Sequence, residues 1–179
     1  MKKTTAYARK RAHRTHVIRT YDHWTELAAS PTQPLPREKI AHQLTSMWEG
    51  LAAIEKSPAP TTDDWRVCSD AVNIMETLTT NGPWHDCDGS LVEVNDESGL
   101  LQDAIAGLAM AGKRNLEGKP IRLDAPGILA VRSILEDYAA ILEVLPERSM
   151  IRAHRLTEKR ISEILAGRRR PHDVEVIDL

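Results

Sequence analysis

The sequence predicts an all-α protein, a bundle of about five main helices with a basic N-terminal arm. Five segments repeat apolar residues at the three- and four-residue spacing that places them on one helix face. Proline or glycine separates these segments, and no alternating pattern is long enough to predict a substantial strand. Amphipathic helices with short connections are typical of helical bundles.

The first predicted helix runs from Arg37 to Lys56, after a proline-rich linker over 31–36 that cannot continue a helix. We expect Pro36 to be the first residue of this helix, where a missing N–H costs nothing. The second helix runs from Thr62 to Thr80, because the Thr61 hydroxyl can accept a backbone hydrogen bond and two aspartates follow it. An Asn-Gly-Pro sequence ends it.

The third predicted helix covers Ser98 to Leu116, and its apolar face is rich in Ala and Gly, which permits close approach to a neighbouring helix. An acidic loop over 83–98 precedes it. The fourth helix begins after Asp124, which can cap it, and ends before Pro146. The fifth covers Glu147 to Ala166, with an apolar line that is weak at its centre.

These elements divide the chain into four parts. Residues 1–20 are a basic arm, and residues 21–36 are a short helix followed by the proline-rich linker. Residues 37–170 are the helical bundle, and residues 171–179 are a C-terminal tail.

Charge is sorted along the chain, although the net charge is only −2. Residues 1–20 carry seven Lys or Arg and no acid. Residues 57–112 hold ten acids against one base, and residues 147–170 hold eight bases against three acids. The acidic middle and basic ends can pair within one fold, pair between subunits, or leave one basic face free.

The turn over 85–89 is the best candidate for a metal site, since it combines His, Cys and two Asp. A calcium loop would need a bidentate Glu at the position of Asn95, and a zinc site would need a second ligand pair. We therefore predict a solvated turn in which Gly89 has a positive φ angle. His85 and Cys87 lie too close in one loop to form a catalytic pair.

His154 and Glu158, four residues apart on the last helix, could form an acid–base pair. We instead expect a satisfied core histidine, or one partly exposed at a subunit interface. We predict no catalytic residue, metal or cofactor, and so no enzyme. Two cysteines, no secretory signal and no membrane span favour a reduced cytoplasmic protein.

The candidate partner-binding residues are the bases of the arm and of the last helix. They are Arg9, Lys10, Arg11, Arg14, Arg152, Arg155, Lys159, Arg168, Arg169 and Arg170. Such bases can bind nucleic acid phosphates. They can also dock on an acidic protein face, including residues 57–112 of a second copy, or the arm can be a solubilising tail.

Residues 160–171 resemble the recognition-helix end of repressor-type helix-turn-helix domains. The positions that match are Ile161, Ser162, Ile164, Leu165, Gly167 and Pro171. The tight turn that precedes such a helix has no counterpart, since Arg152 to Lys159 is predicted as unbroken helix. The resemblance implies DNA binding through this helix.

The chain also resembles small accessory proteins of bacteriophages and prophages, at residues 5–12, 65–71 and 145–148. This resemblance implies a cytoplasmic protein that works on host or phage macromolecules. We predict a non-enzymatic regulator or inhibitor that binds a protein partner or a second copy of itself. The alternative is a DNA- or RNA-binding regulator that uses the arm and the helix over 147–170.

Overall fold

The structure, a computed structural model, describes residues 32–96 and 99–166. Its elements are α1 (Arg37–Lys56), α2 (Thr62–Thr80), β1 (Trp84–His85), β2 (Leu91–Val92), α3 (Leu101–Leu116), α4 (Ala125–Val144) and α5 (Glu147–Leu165). The predicted all-α class is confirmed, since within the described ranges the two short strands form the only sheet.

Helices α1 and α2 have the predicted bounds. Pro36 lies one residue before α1 rather than within it. At the start of α2, the backbone N–H of Asp64 donates to the Thr61 hydroxyl at 3.2 Å, and the N–H of Thr61 donates to the Asp64 carboxylate at 2.7 Å. This reciprocal pair of bonds satisfies two backbone donors at the helix end, which fixes the start of α2.

Helix α3 begins at Leu101, three residues later than predicted. Gly99 takes a φ of +67°, which a helix cannot continue through, and Leu101 N–H donates to the Asp96 carboxylate at 3.1 Å. The cap predicted for α4 is confirmed, because Gly127 N–H donates to Asp124 Oδ1 at 2.8 Å.

Helix α2 is the centre of the bundle and contacts each of the other four helices. The core around it is aliphatic, with Trp65, Trp84 and Tyr138 as buried aromatic residues. Each large apolar side chain buried there contributes about 1.5–3 kcal/mol. The buried indoles are satisfied, since Trp65 Nε1 donates to the Leu108 carbonyl at 2.9 Å and Trp84 Nε1 donates to the Leu78 carbonyl at 2.7 Å.

Two glycines allow neighbouring helices to approach closely. A Cβ at Gly50 of α1 would lie 2.5 Å from Val67 Cγ2 and 2.8 Å from the Asp64 carbonyl oxygen of α2. A Cβ at Gly107 of α3 would lie 3.2 Å from Gly127 Cα of α4. The close approach predicted for α3 is therefore present, and α1 makes a tighter one.

Helix α5 has α2 as its main helical neighbour and buries only Met150, Ala153 and Thr157. At its start, Pro34 forms a β-bridge with Pro146, and Glu147 N–H donates to the Gln33 carbonyl at 3.2 Å. The segment before α1 thus holds the first turn of α5.

Candidate partner-binding site

A groove of about 400 Å³ lies over the middle of α2, between α1 and α5. Its lining residues are Lys39, His42, Gln43, Ser46 and Met47 of α1, Val67, Asp70, Ala71 and Ile74 of α2, and His154 of α5. Those from α2 recur at intervals of three and four residues, so they share one helix face. Seven residues of rise make the groove about 10 Å, or two helical turns, in length.

The floor of the groove is apolar and its rim is polar. Met47, Ala71 and Ile74 are buried members of the core, and Val67 is half-buried. Ala71 leaves room above α2 because its side chain is a single methyl group. The flexible thioether of Met47 can adapt its shape to an occupant.

Gln43 is held in the wall of the groove by a hydrogen bond to Tyr138. Its Nε2 donates to the Tyr138 hydroxyl at 2.7 Å. Burial raises the pKa of Tyr138, which therefore stays protonated at physiological pH, and the charge of Asp70 acts in the same direction. The Gln43 bond opposes this shift and fixes the orientation of the amide.

Asp70 and His154 face the groove, and no hydrogen bond or ion pair holds either side chain within the described ranges. Burial raises the pKa of Asp70, opposed by the charges of His154 and Arg66. Burial also lowers the pKa of His154, opposed by Glu158 and Asp70. The two shifts move the pKa of the Asp70 carboxyl and the pKa of the His154 imidazole toward each other.

An ion pair links the two helices that flank the groove. Lys39 Nζ of α1 lies 2.8 Å from Glu147 Oε1 at the first residue of α5. The charge of Lys39 is compensated there, whereas no close ion pair reaches the Asp70 carboxylate in the described part of the chain. The charges of His154 and Arg66 act on Asp70 from a greater distance.

The three described candidate bases of the last helix share one face. Arg152, Arg155 and Lys159 follow one another at three- and four-residue spacing, on the side of α5 away from its buried residues. The Arg152 guanidinium lies 5.0 Å from the centroid of the Trp84 ring, a cation–π contact. Lys159 is 72% exposed and lies 3.9 Å from Glu163.

The other predicted bases lie outside the described residues. They are Arg9, Lys10, Arg11, Arg14, Arg168, Arg169 and Arg170. The short helix expected within 21–36 also lies outside the described residues. Of that segment, the structure describes only residues 32–36, which belong to the linker. Helix α5 itself is unbroken from Arg152 to Lys159, as predicted.

Part of the basic helix is joined to the acidic segment. Arg160 pairs with Glu76 at 2.6 Å and also donates to the Asn73 carbonyl at 3.1 Å. The hydroxyls of Thr77 and Thr157 are 2.7 Å apart and buried. Opposite charges of the two segments therefore meet within one fold, which was one of the predicted alternatives.

The turn over 85–89 is tied by its own side chain. Asp86 Oδ1 accepts from the N–H groups of Asp88 at 2.9 Å and Ser90 at 2.8 Å, and Gly89 has a φ of +84°, as predicted. In residues 32–96 and 99–166, no three His, Cys, Asp or Glu side chains are grouped closely enough to hold a metal ion.

Sequence patterns missed His42, Gln43 and Asp70, because a groove depends on where three helices lie relative to one another. Of the two alternatives expected for His154, the core position is wrong, because the structure places the side chain at the groove and partly exposed. One sequence feature could have indicated a solvent-facing side of α1, namely the polar residues on one helix face at 39, 42, 43 and 46.

No family model, curated protein or solved structure matches the chain. None of the described helices has the length and apolar character that crossing a membrane requires.

Proposed function

We propose that this protein is a non-enzymatic regulator that binds a helical segment of a protein partner in the groove between α1 and α5. The observation that carries the proposal is the groove itself, two turns long, with an apolar floor and a polar rim. An amphipathic helix laid into such a groove is a recurrent mode of peptide recognition.

The scaffold supports this role because contacts between helices hold the groove walls in place. The Lys39–Glu147 pair links α1 to α5, and the Thr77–Thr157 contact fixes α5 on α2. A groove formed before binding loses little conformational entropy when an occupant arrives.

The same groove offers little support for an enzyme. Acid–base or nucleophilic catalysis needs a base oriented by a third group. No hydrogen bond orients the imidazole of His154 within the described chain. Binding without chemistry accords with the regulator or inhibitor role that the resemblance to phage accessory proteins implies. A cytoplasmic location is part of the proposal, supported by Cys68 and Cys87, which form no disulfide.

A blocking variant tests the proposal. Ser46→Arg would lay a long side chain over the groove floor, whereas Thr45→Arg puts the same charge on the exposed neighbouring position of α1. A photo-crosslinking amino acid at position 46 of the full chain would trap the partner, which is then purified. The purified partner should bind the wild type and Thr45→Arg, and lose binding to Ser46→Arg.

The partner can also be a second copy of the chain. Sedimentation at about 100 μM, well above a micromolar dissociation constant, would show a dimer that Ser46→Arg dissociates. A purified partner or a dimer that is indifferent to Ser46→Arg would contradict the groove as the binding site.

The second candidate function is nucleic acid binding by the arm and α5. The observation that favours it is the shared face of Arg152, Arg155 and Lys159. We rank it second because Arg152 stacks on Trp84 and Arg160 is occupied by Glu76, so α5 commits part of its positive charge to the fold.

A further inference from the structure

We propose that the groove selects a partner helix that carries a lysine or arginine on its apolar face, and that Asp70 binds the cationic group of that side chain. This inference rests on the proposed function of the groove. It adds the chemistry by which one helix is preferred over another.

The balance of charge in the groove favours a cation. Lys39 is neutralised by Glu147, whereas no ion pair reaches the Asp70 carboxylate within the described ranges. Arg66, one turn before Asp70, lies 3.4 Å from Asp63. A bound ammonium or guanidinium would therefore add a close ion pair to the longer-range attraction that His154 and Arg66 exert on Asp70.

The hydrogen-bond acceptors of the groove also favour a cationic side chain. The Ser46 hydroxyl donates to the His42 carbonyl at 3.1 Å, and Gln43 donates through Nε2 to Tyr138. Their oxygens remain as acceptors, together with the Asp70 carboxylate. Lysine and arginine are donors without any acceptor, so they complement these three acceptors, although Lys39, His42 and His154 add donors to the lining.

The position of Asp70 suits a long side chain with a charged end. Val67 precedes Asp70 by three residues and Ile74 follows it by four, so each lies about one turn away on the same face of α2. The methylene stem of lysine or arginine can lie on this apolar surface while its head reaches the carboxylate. An acidic or apolar side chain at that place would leave the carboxylate repelled or desolvated without a partner.

Two matched synthetic peptides test the inference on the full-length protein. Both are 14-residue amphipathic helices of Leu, Ala and Gln, with either Lys or Glu at the centre of the apolar face. Selective ¹³C labelling of the methionine methyls gives a local signal, since Met47 lies in the groove and Met110 is 64% exposed on α3. The Lys peptide should shift the Met47 signal without shifting that of Met110.

Substitution of Asp70 should weaken the Lys peptide specifically. Asp70→Asn should raise its dissociation constant about fivefold, the effect of a partly exposed ion pair. Asp70→Glu, which keeps the charge, should bind nearly as the wild type does. Asp103→Asn, an exposed carboxylate of α3 outside the groove, is the matched control and should change nothing.

The outcomes separate this inference from the function on which it rests. If both peptides shift Met47 equally and Asp70→Asn has no effect, the groove binds helices but Asp70 does not select them, and the inference is wrong. If neither peptide shifts Met47, helix binding in the groove is itself contradicted.

Discussion

Arg160 Nη1 of α5 lies 2.6 Å from Glu76 Oε2 of α2, with both side chains less than a fifth exposed (14% and 18%). The pair joins a base of the positively charged segment to an acid of the negatively charged one. Because Arg160 also donates to the Asn73 carbonyl, the guanidinium is held at two points. Loss of one partner would leave a poorly solvated charge facing a neutral group.

Glu76→Gln should therefore destabilise the protein by about 1–2 kcal/mol, less than a fully buried pair because water still reaches it. Urea unfolding followed by circular dichroism would measure the change. Glu163→Gln serves as the control, since the Lys159–Glu163 contact is long and exposed and should contribute less than about 0.5 kcal/mol. Equal effects of the two substitutions would contradict the structural role of the Arg160–Glu76 pair.

Gly50→Ala should destabilise the fold although alanine favours helices. The new Cβ would meet Val67 Cγ2 at 2.5 Å and the Asp64 carbonyl oxygen at 2.8 Å, and a backbone atom cannot turn away as a side chain can. Overpacking should lower the free energy of unfolding by about 1–3 kcal/mol. The higher helix propensity of alanine offsets about 1 kcal/mol of this loss. Thermal and urea unfolding would measure it, and a stabilised variant would show that α1 and α2 are further apart.

The stability of the protein should depend on pH through His154. Burial lowers its pKa below the ordinary value of 6.5, against the opposing charges of Glu158 and Asp70. On acidification the unfolded chain takes up the proton first, so the contribution of the neutral imidazole is complete above pH 6.5 and is lost as the pH falls through the folded pKa. The other groups facing the groove are Lys39 and His42.

The difference in unfolding free energy between wild type and His154→Gln isolates this contribution from that of the other histidines. It should narrow or reverse as the pH is lowered from about 7.5 to about 5.5, around the ordinary histidine pKa. An unfolding free-energy difference that stays constant over that pH range would show that burial does not lower the pKa of His154.

Binding of the full chain to a random DNA duplex tests the second function. Each phosphate contact contributes about −0.9 to the slope of log affinity against log salt concentration. We expect a dissociation constant of about 10⁻⁴ to 10⁻⁶ M, as for non-specific binding. If α5 takes part, Lys159→Ala should make the slope less steep by about one contact, whereas Lys119→Ala should not. Lys119 matches it as an exposed lysine, distant in sequence and paired with Glu117 at 2.6 Å. Equal salt slopes for the wild type and Lys159→Ala would contradict a contact between α5 and nucleic acid.

The parts of the fold that local chemistry decides could be predicted from the sequence. The bounds of α1 and α2 follow from prolines and from the Thr61 cap, all of which act within four residues. The start of α3 could not be placed, because it depends on Gly99 adopting a positive φ and on a bond from Leu101 to Asp96.

The groove could not be predicted because it is a property of three helices together. Helical periodicity places His154 toward the buried side of α5, but α5 packs mainly on one helix, so its buried strip is narrow and His154 falls at its edge. The role of Gly50 could not be predicted from the sequence either, because it depends on the distance between α1 and α2. Such distances are fixed by packing, on which the order of residues in one helix carries little information.

The place of α5 in the chain has a consequence for when the groove arises during synthesis. Helices α1 to α4 are made first and can pack around α2, while α5 is the last described helix to leave the ribosome. Until it docks, the Thr77 hydroxyl and the Trp84 ring lack their α5 neighbours, and the groove lacks His154 and the Lys39–Glu147 pair. If the groove binds a helix as proposed, a nascent chain that lacks α5 would not yet hold its partner, and binding would begin only after α5 has been made and has docked.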